Sequence, residues 1–255
     1  MAGGNKDVVF GFHAVTSALR LRPHEVYDIW VDKSRVDQRA QLVLETARSR
    51  NIPIHHVGRS ALDKMAASDR HQGIVANCQI SKGLSEHELI PFVENIDGPA
   101  FLLVLDGIQD PHNLGACLRS ANAAGVDAVV LPKDRAVGLT GTVRKVASGA
   151  AEITPIFQVT NLVRCLKALK EEGLWLIGLA GESDNSLYDS DLKGSIALVM
   201  GAEGKGLRRL TRETCDDLVH IPMSGQVESL NVSVATGICL YEVVRQKKQS
   251  HASKT

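Results

Sequence analysis

The feature that most constrains the fold is a run of apolar residues, Phe101–Leu105, that passes directly into a polar loop. Its length and composition predict a buried strand. The loop combines Asp, Gly, Pro, His and Asn, which is typical of a turn, and Asn113 stands where a helix N-cap belongs. Apolar residues then recur with helical spacing at Leu114, Cys117, Leu118 and Ala121. This order of strand, loop and helix predicts an α/β fold whose ligand site opens at the carboxyl ends of the strands.

Further apolar runs of strand length extend this pattern through the chain. In the second half they alternate with helical segments, which predicts an α/β domain over residues 99–246. In the first half shorter strands and helices alternate, which predicts a separate small α/β domain over residues 1–80. The polar stretch 81–98 is predicted to be a linker, and residues 247–255 are predicted to be a disordered tail.

Composition limits which binding partners and which cellular compartment we expect for this chain. The formal net charge is zero, so a nucleic acid would have to be bound by local basic patches. Candidates for such a patch are Arg135, Arg144, Lys145, Lys205, Arg208 and Arg209. The five cysteines include no Cys-x-x-Cys pair, which favours reduced thiols in the cytoplasm and no metal site. The start, Met1–Asp7, lacks the apolar core of a signal peptide, so we expect none, and no apolar run approaches the ~20 residues of a membrane span.

Two polar loops near the C-terminus also follow predicted strands. Gly201–Leu207 contains three glycines, which permit a tight turn and a close approach to a ligand, but it lacks the spacing of a Walker A loop or a dinucleotide fingerprint. Ile221–Ala235 contains a Ser and an Asn that would also suit a plain helix cap. Since the carboxyl ends of parallel strands meet at one edge, all three loops are predicted to surround one crevice. The polar residues placed there are Asn113, Arg119, Glu203, Ser229 and Asn231.

Three motifs in these loops resemble those of the SpoU (TrmH) family, RNA ribose 2′-O-methyltransferases of the SPOUT class. They are Asp-x-x-x-Asp-Pro-x-Asn-x-Gly-x-x-x-Arg at Asp106–Arg119, Gly-x-Glu-Gly-x-Gly-Leu at Gly201–Leu207, and Ile-Pro-Met-x-Gly-x-x-x-Ser-Leu-Asn-Val-Ser-Val-Ala at Ile221–Ala235. Order, spacing and identity all agree. The first domain, with Gly-Phe-His-Ala-Val at Gly11–Val15 and His-Gln-Gly-Ile-Val-Ala at His71–Ala76, resembles the L30e-type RNA-binding domain of some members.

The resemblance implies a catalytic domain with a deep C-terminal trefoil knot, a feature that proteins otherwise almost never show. It implies a homodimer formed by the catalytic domains and S-adenosylmethionine as the methyl donor. By matched position, the backbone around Gly201, Ile221 and Leu230 is expected to bind this cofactor.

The resemblance also implicates Arg119 in the reaction. Because a guanidinium does not accept a proton under ordinary conditions, we expect Arg119 to stabilise developing negative charge, and a deprotonated Arg119 acting as base is the less favoured alternative. Asn113 is expected to orient Arg119 or the ribose, and Glu203 to fix Arg119, across the dimer in one version. Ser229 and Asn231 are expected to order the last loop.

The two-domain arrangement most resembles members that methylate a guanosine ribose in the peptidyl-transferase P loop of bacterial 23S rRNA. A ribose methyltransferase that acts on tRNA or on another rRNA site would carry the same motifs and is the alternative. Two further readings are a non-catalytic RNA-binding module, which the intact motifs disfavour, and a nucleotide-hydrolysing enzyme, which the missing phosphate loop disfavours.

Overall fold

The structure is a computed structural model that describes residues 6–21, 23–35, 37–69, 71–79 and 83–252. The chain divides into two compact units. The first unit comprises Met1–Lys82 with Ser148–Ile153, and the second comprises Gly83–Ala147 with Thr154–Thr255. Within the described ranges, no helix has both the length and the apolar character needed to cross a membrane.

The first unit contains a mixed four-stranded sheet. Its elements are β1 (Lys6–Phe10), α1 (Phe12–Leu21), β2 (Val26–Asp32), α2 (Gln38–Ser49), β3 (Ile54–Val57), α3 (Arg59–Ala66) and β4 (Ile74–Gln79). The strand order is β1-β4-β2-β3, in which only β2 and β3 are parallel. Apolar residues of α1 and α2 pack on one face of the sheet, against Ile29 and Ala76. That packing forms the core of the unit.

The second unit contains a seven-stranded sheet in which every pair of neighbouring strands is parallel. The elements from residue 84 onward are β5 (Leu84–Ser85), α4 (Leu89–Glu94), β6 (Phe101–Asp106), α5 (Pro111–Ala124), β7 (Ala128–Pro132), α6 (Gly141–Ala147), α7 (Ala150–Ile153, grouped with the first unit), β8 (Ile156–Val159), α8 (Leu162–Glu171), β9 (Trp175–Leu179), β10 (Ile196–Gly201), α9 (Arg209–Thr214), β11 (Asp217–Val219) and α10 (Val232–Ala252). The order is β11-β9-β10-β6-β7-β8-β5. Strand β6 is buried along its whole length, as the apolar run predicted. Because helices alternate with the parallel strands, the predicted α/β fold with a parallel sheet is confirmed.

The stretch predicted to be a linker belongs instead to the second unit from Gly83 onward. Strand β5 adds to the sheet beside β8, and the side chains of Leu89 and Val93 on α4 are buried in the core. The prediction of a linker over 81–98 was therefore wrong for these residues. Polar composition misled it, because a short helix needs only one apolar face to pack. Residues 81 and 82 lie outside the described residues.

The prediction of a disordered tail from residue 247 was also wrong, since α10 runs to Ala252. Gln246 is only 6% exposed, and its side chain accepts a hydrogen bond from the Leu192 N–H and donates one to the Ser190 carbonyl. The Lys247 ammonium donates to the Pro99 carbonyl and lies over the Phe101 ring. Long polar side chains thus fasten the helix end, which hydropathy alone does not reveal. Residues 253–255 lie outside the described ranges.

Candidate functional site

The first candidate loop joins β6 to α5, and the helix begins earlier than the sequence predicted. The side chain of Asp110 caps it by accepting the His112 N–H at 2.9 Å, and Pro111 occupies the first turn. Asn113 is therefore a buried residue of the first turn and not the N-cap, so that prediction was wrong. Asp110 supplies the cap and Pro111 the preset φ angle, so the two together start the helix.

The three loops meet at one carboxylate. Glu203 Oε1 accepts hydrogen bonds from Asn113 Nδ2 at 2.8 Å and from Asn231 Nδ2 at 2.7 Å. Asn231 Nδ2 also lies 3.0 Å from Asn113 Oδ1. We call Asn113, Glu203 and Asn231 the Glu203 hub. It ties together the loops that follow β6, β10 and β11, as expected at the carboxyl edge of a parallel sheet.

Asn231 also caps the last helix. Its Oδ1 accepts the N–H of Ser233 at 2.9 Å and the Ser233 hydroxyl at 2.6 Å, and its carbonyl accepts the N–H of Ala235. The amide group donates to the hub while the amide oxygen holds the start of α10. The two readings of Asn231 from the sequence, helix cap and site residue, therefore both apply.

A cleft of about 650 Å³ opens beside the hub. All three residues expected at the cofactor, Gly201, Ile221 and Leu230, line it, together with Glu203, Ser229 and Asn231. Two acidic side chains, Glu182 and Glu228, and two apolar ones, Leu179 and Met200, complete much of the wall. This volume is typical of a small-molecule site. Apolar walls with carboxylates suit a flat base joined to a cationic group.

Gly201 lets the backbone come close at this cleft. A Cβ built on Gly201 would lie 2.1 Å from the carbonyl carbon of Gly206. The two segments are drawn together by paired backbone hydrogen bonds between Ala202 and Gly206, at 2.9 and 3.1 Å. Any side chain at position 201 would therefore push the loop open.

A smaller hollow of about 240 Å³ also adjoins the hub. Asn113, Gln109, Asp110 and Lys205 line it. It shares Ala202, Glu203 and Val232 with the larger cleft. The hub thus stands between two adjacent spaces, an arrangement that suits a donor and an acceptor of a transferred group.

Arg119 and Ser229 are not brought into the hub. Arg119 is exposed on α5, and six residues after Asn113 a helix has turned to another face. It makes no hydrogen bond or ion pair with any residue that the structure describes. Ser229 lines the larger cleft and is exposed, and it too lacks a hydrogen-bond partner among the described residues.

Sequence reasoning missed Asp106, which opens the first motif. This carboxylate is 1% exposed; its Oδ2 accepts the backbone N–H of Arg208 at 3.0 Å, and its Oδ1 lies 3.2 Å from Arg208 Nε. It therefore fastens the Gly201–Leu207 loop to the end of β6. The conspicuous clue was a charged residue at the end of an apolar strand, because a buried charge needs a partner.

The six cations proposed as a basic patch do not behave alike. Arg144 is buried, Arg208 is paired with Asp106, and Arg209 forms an ion pair with Glu213. Lys205 is exposed at the smaller hollow. Among the described residues, no cluster of three or more His, Cys, Asp or Glu side chains is placed to hold a metal ion.

Two family models match the chain. The model of the SpoU rRNA Methylase family matches residues 100–241, and a model described as RNA 2'-O ribose methyltransferase substrate binding matches residues 8–83. Together they span both units.

Individual relatives and structures agree with this. The 23S rRNA (guanosine-2'-O-)-methyltransferase RlmB of Shewanella oneidensis is 54% identical, over 95% of this chain and 98% of its own. The crystal structure of the SpoU methyltransferase AviRb from Streptomyces viridochromogenes in complex with AdoMet covers 96% of this chain and 91% of its own, at 24% identity and a TM-score of 0.75. The A. aeolicus TrmH/SpoU tRNA modifying enzyme covers only 65% of this chain and 84% of its own, at 26% identity and a TM-score of 0.55.

Proposed function

The chain belongs to the SpoU rRNA Methylase family, and we propose that it methylates the ribose 2′-hydroxyl of a guanosine in 23S rRNA, with S-adenosylmethionine as donor. The observation that carries this proposal is the Glu203 hub, in which three distant segments meet between two adjacent spaces. Methyl transfer from a sulfonium is an in-line displacement, so it needs donor and acceptor held in line and close together.

The larger cleft is the proposed cofactor site. Its apolar residues Leu179, Ile221 and Leu230 suit the adenine ring, and the carboxylate of Glu228 suits a positive charge of the donor. The carboxylate of Glu182 forms an ion pair with Arg212. When bound, S-adenosylmethionine supplies an electrophilic methyl group. The close approach of Gly201 to Gly206 leaves no room for a side chain at position 201, in the wall of this cleft.

The smaller hollow is the proposed site of the ribose. Because Glu203 Oε1 accepts from both amides, the side chain of Asn113 is held in one orientation, facing the hollow that it lines. Its role is to position the ribose. Glu203 acts here through Asn113 and Asn231, which differs from the expectation that it fixes Arg119 within one chain.

Arg119 would then reach the site from the second subunit of a homodimer. Val234 and Tyr241 are 51% and 53% exposed, and their spacing of seven residues puts them on one side of α10. Helix α10 packs against α5, which bears the exposed Arg119. This apolar stripe beside an unpaired cation supports an isologous contact between two catalytic units. The guanidinium would stabilise negative charge on the ribose oxygen as the O–methyl bond forms, the methyl–sulfur bond breaks to leave a thioether, and the hydroxyl proton passes to water.

The C-terminal segment would be knotted. In the connection between β9 and β10, the Leu187 N–H donates a hydrogen bond of 2.9 Å to the carbonyl of His220, the residue that follows β11. The same connection bonds to α10 through Gln246, which contacts both Ser190 and Leu192. The β9–β10 connection is therefore bonded to the C-terminal segment at two separate points, His220 and Gln246. These two contacts support threading of that segment through the connection.

The first unit would be the substrate-binding domain. The rRNA methyltransferase from Shewanella oneidensis matches 95% of the chain, whereas the A. aeolicus tRNA enzyme covers 65% of it. This difference favours rRNA over tRNA. The motif resemblance further favours the guanosine of the peptidyl-transferase P loop, and an rRNA substrate supports a cytoplasmic location.

Incubation with labelled S-adenosylmethionine tests the proposal. Transcripts of 23S rRNA fragments, of the P-loop hairpin and of tRNA would be offered in parallel, and the label mapped to a nucleotide. We expect label on a guanosine ribose of 23S rRNA alone. Label on tRNA would establish the alternative substrate, and cofactor binding without any transfer would favour a non-catalytic RNA-binding module.

A further inference from the structure

One face of the four-stranded sheet presents an aromatic surface that the catalytic proposal does not use. Trp30 on β2 and His55 on β3 are directly paired across the strands, and their rings stack with centroids 4.2 Å apart and planes at 27°. Asp28 and Asn77 lie on the same face, paired across β2 and β4. We call these four residues the Trp30–His55 platform.

The platform is accessible to solvent. His55 is exposed, and Trp30, Asp28 and Asn77 are partly exposed. Strand alternation places them opposite the core face, where Ile29 and Ala76 pack against α1 and α2. On this face Val75, the neighbour of Trp30 on β4, is buried, so the accessible part is the stacked ring pair with the two polar side chains beside it. This part offers flat ring faces and fixed hydrogen-bonding edges.

The hydrogen bonds within the platform use only some of its acceptor oxygens. Asp28 Oδ1 accepts from Trp30 Nε1 and from Asn77 Nδ2, each at 2.6 Å. These bonds hold the side chains of Trp30 and Asn77 against the Asp28 carboxylate. Asp28 Oδ2 and Asn77 Oδ1 have no hydrogen-bond partner among the residues that the structure describes. The platform therefore combines a ring stack with two free acceptor oxygens.

Resting on the proposed function, we propose that the platform binds an unpaired base of the RNA substrate, which stacks on the His55–Trp30 pair. Single-stranded segments of RNA are recognised in this way, by stacking on aromatic or His side chains and by hydrogen bonds to base edges. Guanine fits best, because its Watson–Crick edge offers adjacent N1–H and N2–H donors to two acceptors. A phosphate is a poor occupant, since the Asp28 carboxylate repels it.

Adjacent histidines provide a matched pair of variants. His55 and His56 are both exposed on β3, but they point to opposite faces, since His55 pairs with Trp30 and His56 with Val31. His55→Ala should weaken binding of a 23S rRNA transcript about tenfold, and His55→Phe should restore it. His56→Ala should bind as the unchanged protein does. Because base stacking releases no counterions, the slope of log affinity against log salt should stay the same in His55→Ala.

Tryptophan emission gives a direct signal. The chain has two tryptophans, so the Trp175→Phe variant retains only Trp30. Its emission should be quenched when the transcript is added, whereas a Trp30→Phe variant, which retains Trp175, should respond weakly. Short single-stranded RNAs containing guanosine should bind more tightly than those containing inosine, which lacks the N2 amino group. Asp28→Asn should reduce that preference.

The outcomes separate the two proposals. If His55→Ala binds RNA as well as His56→Ala does, and Trp30 emission does not change, the platform proposal is overturned. A salt slope lowered by about one in His55→Ala would also overturn it, because it indicates a phosphate contact. If the unchanged protein methylates no 23S rRNA but the His55 effects persist, the proposed function fails and the base-binding platform stands.

Discussion

The two units place their candidate functional groups on sheets in different ways. In the second unit the groups lie at strand ends, on loops separated by as many as 118 residues, and the Glu203 carboxylate holds them together. In the first unit the groups lie on the sheet face, and each is a direct cross-strand neighbour of another. Chemistry on a ribose oxygen needs several oriented groups around a point, which only converging loops provide. Recognition of a base needs a plane, which a sheet face already offers.

This comparison predicts separable defects. Changes at the hub should reduce turnover and leave RNA affinity intact, and changes at the platform should do the reverse.

Arg119→Ala should have the largest effect, lowering the rate of methyl transfer about 10³-fold because a stabilising cation is lost. Calorimetric binding of S-adenosylmethionine and of RNA should remain, and the exposed position predicts little change in the free energy of unfolding. Lys167→Ala, an exposed change on α8, is the control. Near-normal turnover in Arg119→Ala would remove this residue from the mechanism.

Glu203→Ala should lower turnover about 10²-fold, since Asn113 and Asn231 lose their shared acceptor. Glu213→Ala, which breaks only a surface ion pair with Arg209, should have no such effect. Loss of RNA affinity in Glu203→Ala would break the separation between the units.

Co-expressed chains bearing Arg119→Ala and Glu203→Ala sharpen this further. If Arg119 acts across the dimer, a mixed dimer contains one site with both residues intact. In a statistical mixture of two-fold symmetric dimers, activity should recover to roughly a quarter of normal. No recovery, measured with labelled donor, would indicate that both residues act within one chain.

Gly201→Ala should destabilise the second unit by about 1–3 kcal/mol and abolish cofactor binding, because the new methyl group meets the Gly206 backbone. Gly194→Ala is the control, since its Cβ would meet nothing within 4 Å and it lies outside the three motifs. Denaturant unfolding and calorimetry measure the two effects. Unchanged cofactor binding would contradict the assignment of the larger cleft.

Buried thiols should make the second unit sensitive to alkali. Burial raises the pKa of Cys117 to about 11 and the pKa values of Cys165, Cys215 and Cys239 to about 12, from an ordinary value near 9. At a pH between the ordinary pKa and the raised pKa of a thiol, the unfolded chain has lost the thiol proton that the folded chain keeps. The free energy of unfolding should therefore fall as pH rises above about 9, by up to ~1.4 kcal/mol per pH unit for each thiol.

Cys239→Ala should make that decline less steep, and this is the smallest effect that we predict. The measurement is the slope of unfolding free energy against pH, which does not depend on the cost of the cavity at neutral pH. An unchanged slope would show that Cys239 does not contribute to the alkaline sensitivity.

The sequence predicted helices and strands correctly where the local pattern of apolar residues is compatible with only one kind of element. The apolar run Phe101–Leu105 became the buried strand β6, and the helical spacing after it became α5. It failed where distant side chains decide. Leu89 and Val93 are buried within a stretch that looks polar, and Gln246 is held by a loop more than 50 residues away.

The candidate site shows the same division. The motifs identified Asn113, Glu203 and Asn231, but not that one oxygen of Glu203 serves both amides. Asp106 and its contact with Arg208 went unnoticed, because the sequence does not show which carboxylate is buried. The Trp30–His55 pair depends on the register between β2 and β3, and a slip of one residue would put His55 on the opposite face.

By itself, the sequence determined the α/β class, the family and the residue types available for chemistry, because strand and helix periods and motif spacing are local properties of the chain. Tertiary structure alone decided which of those residues touch. Contact between residues more than 100 positions apart depends on sheet order and on strand register, and neither is written in any one segment. That is why Asn113 and Asn231 share an acceptor while Arg119, equally prominent in its motif, stands apart from them.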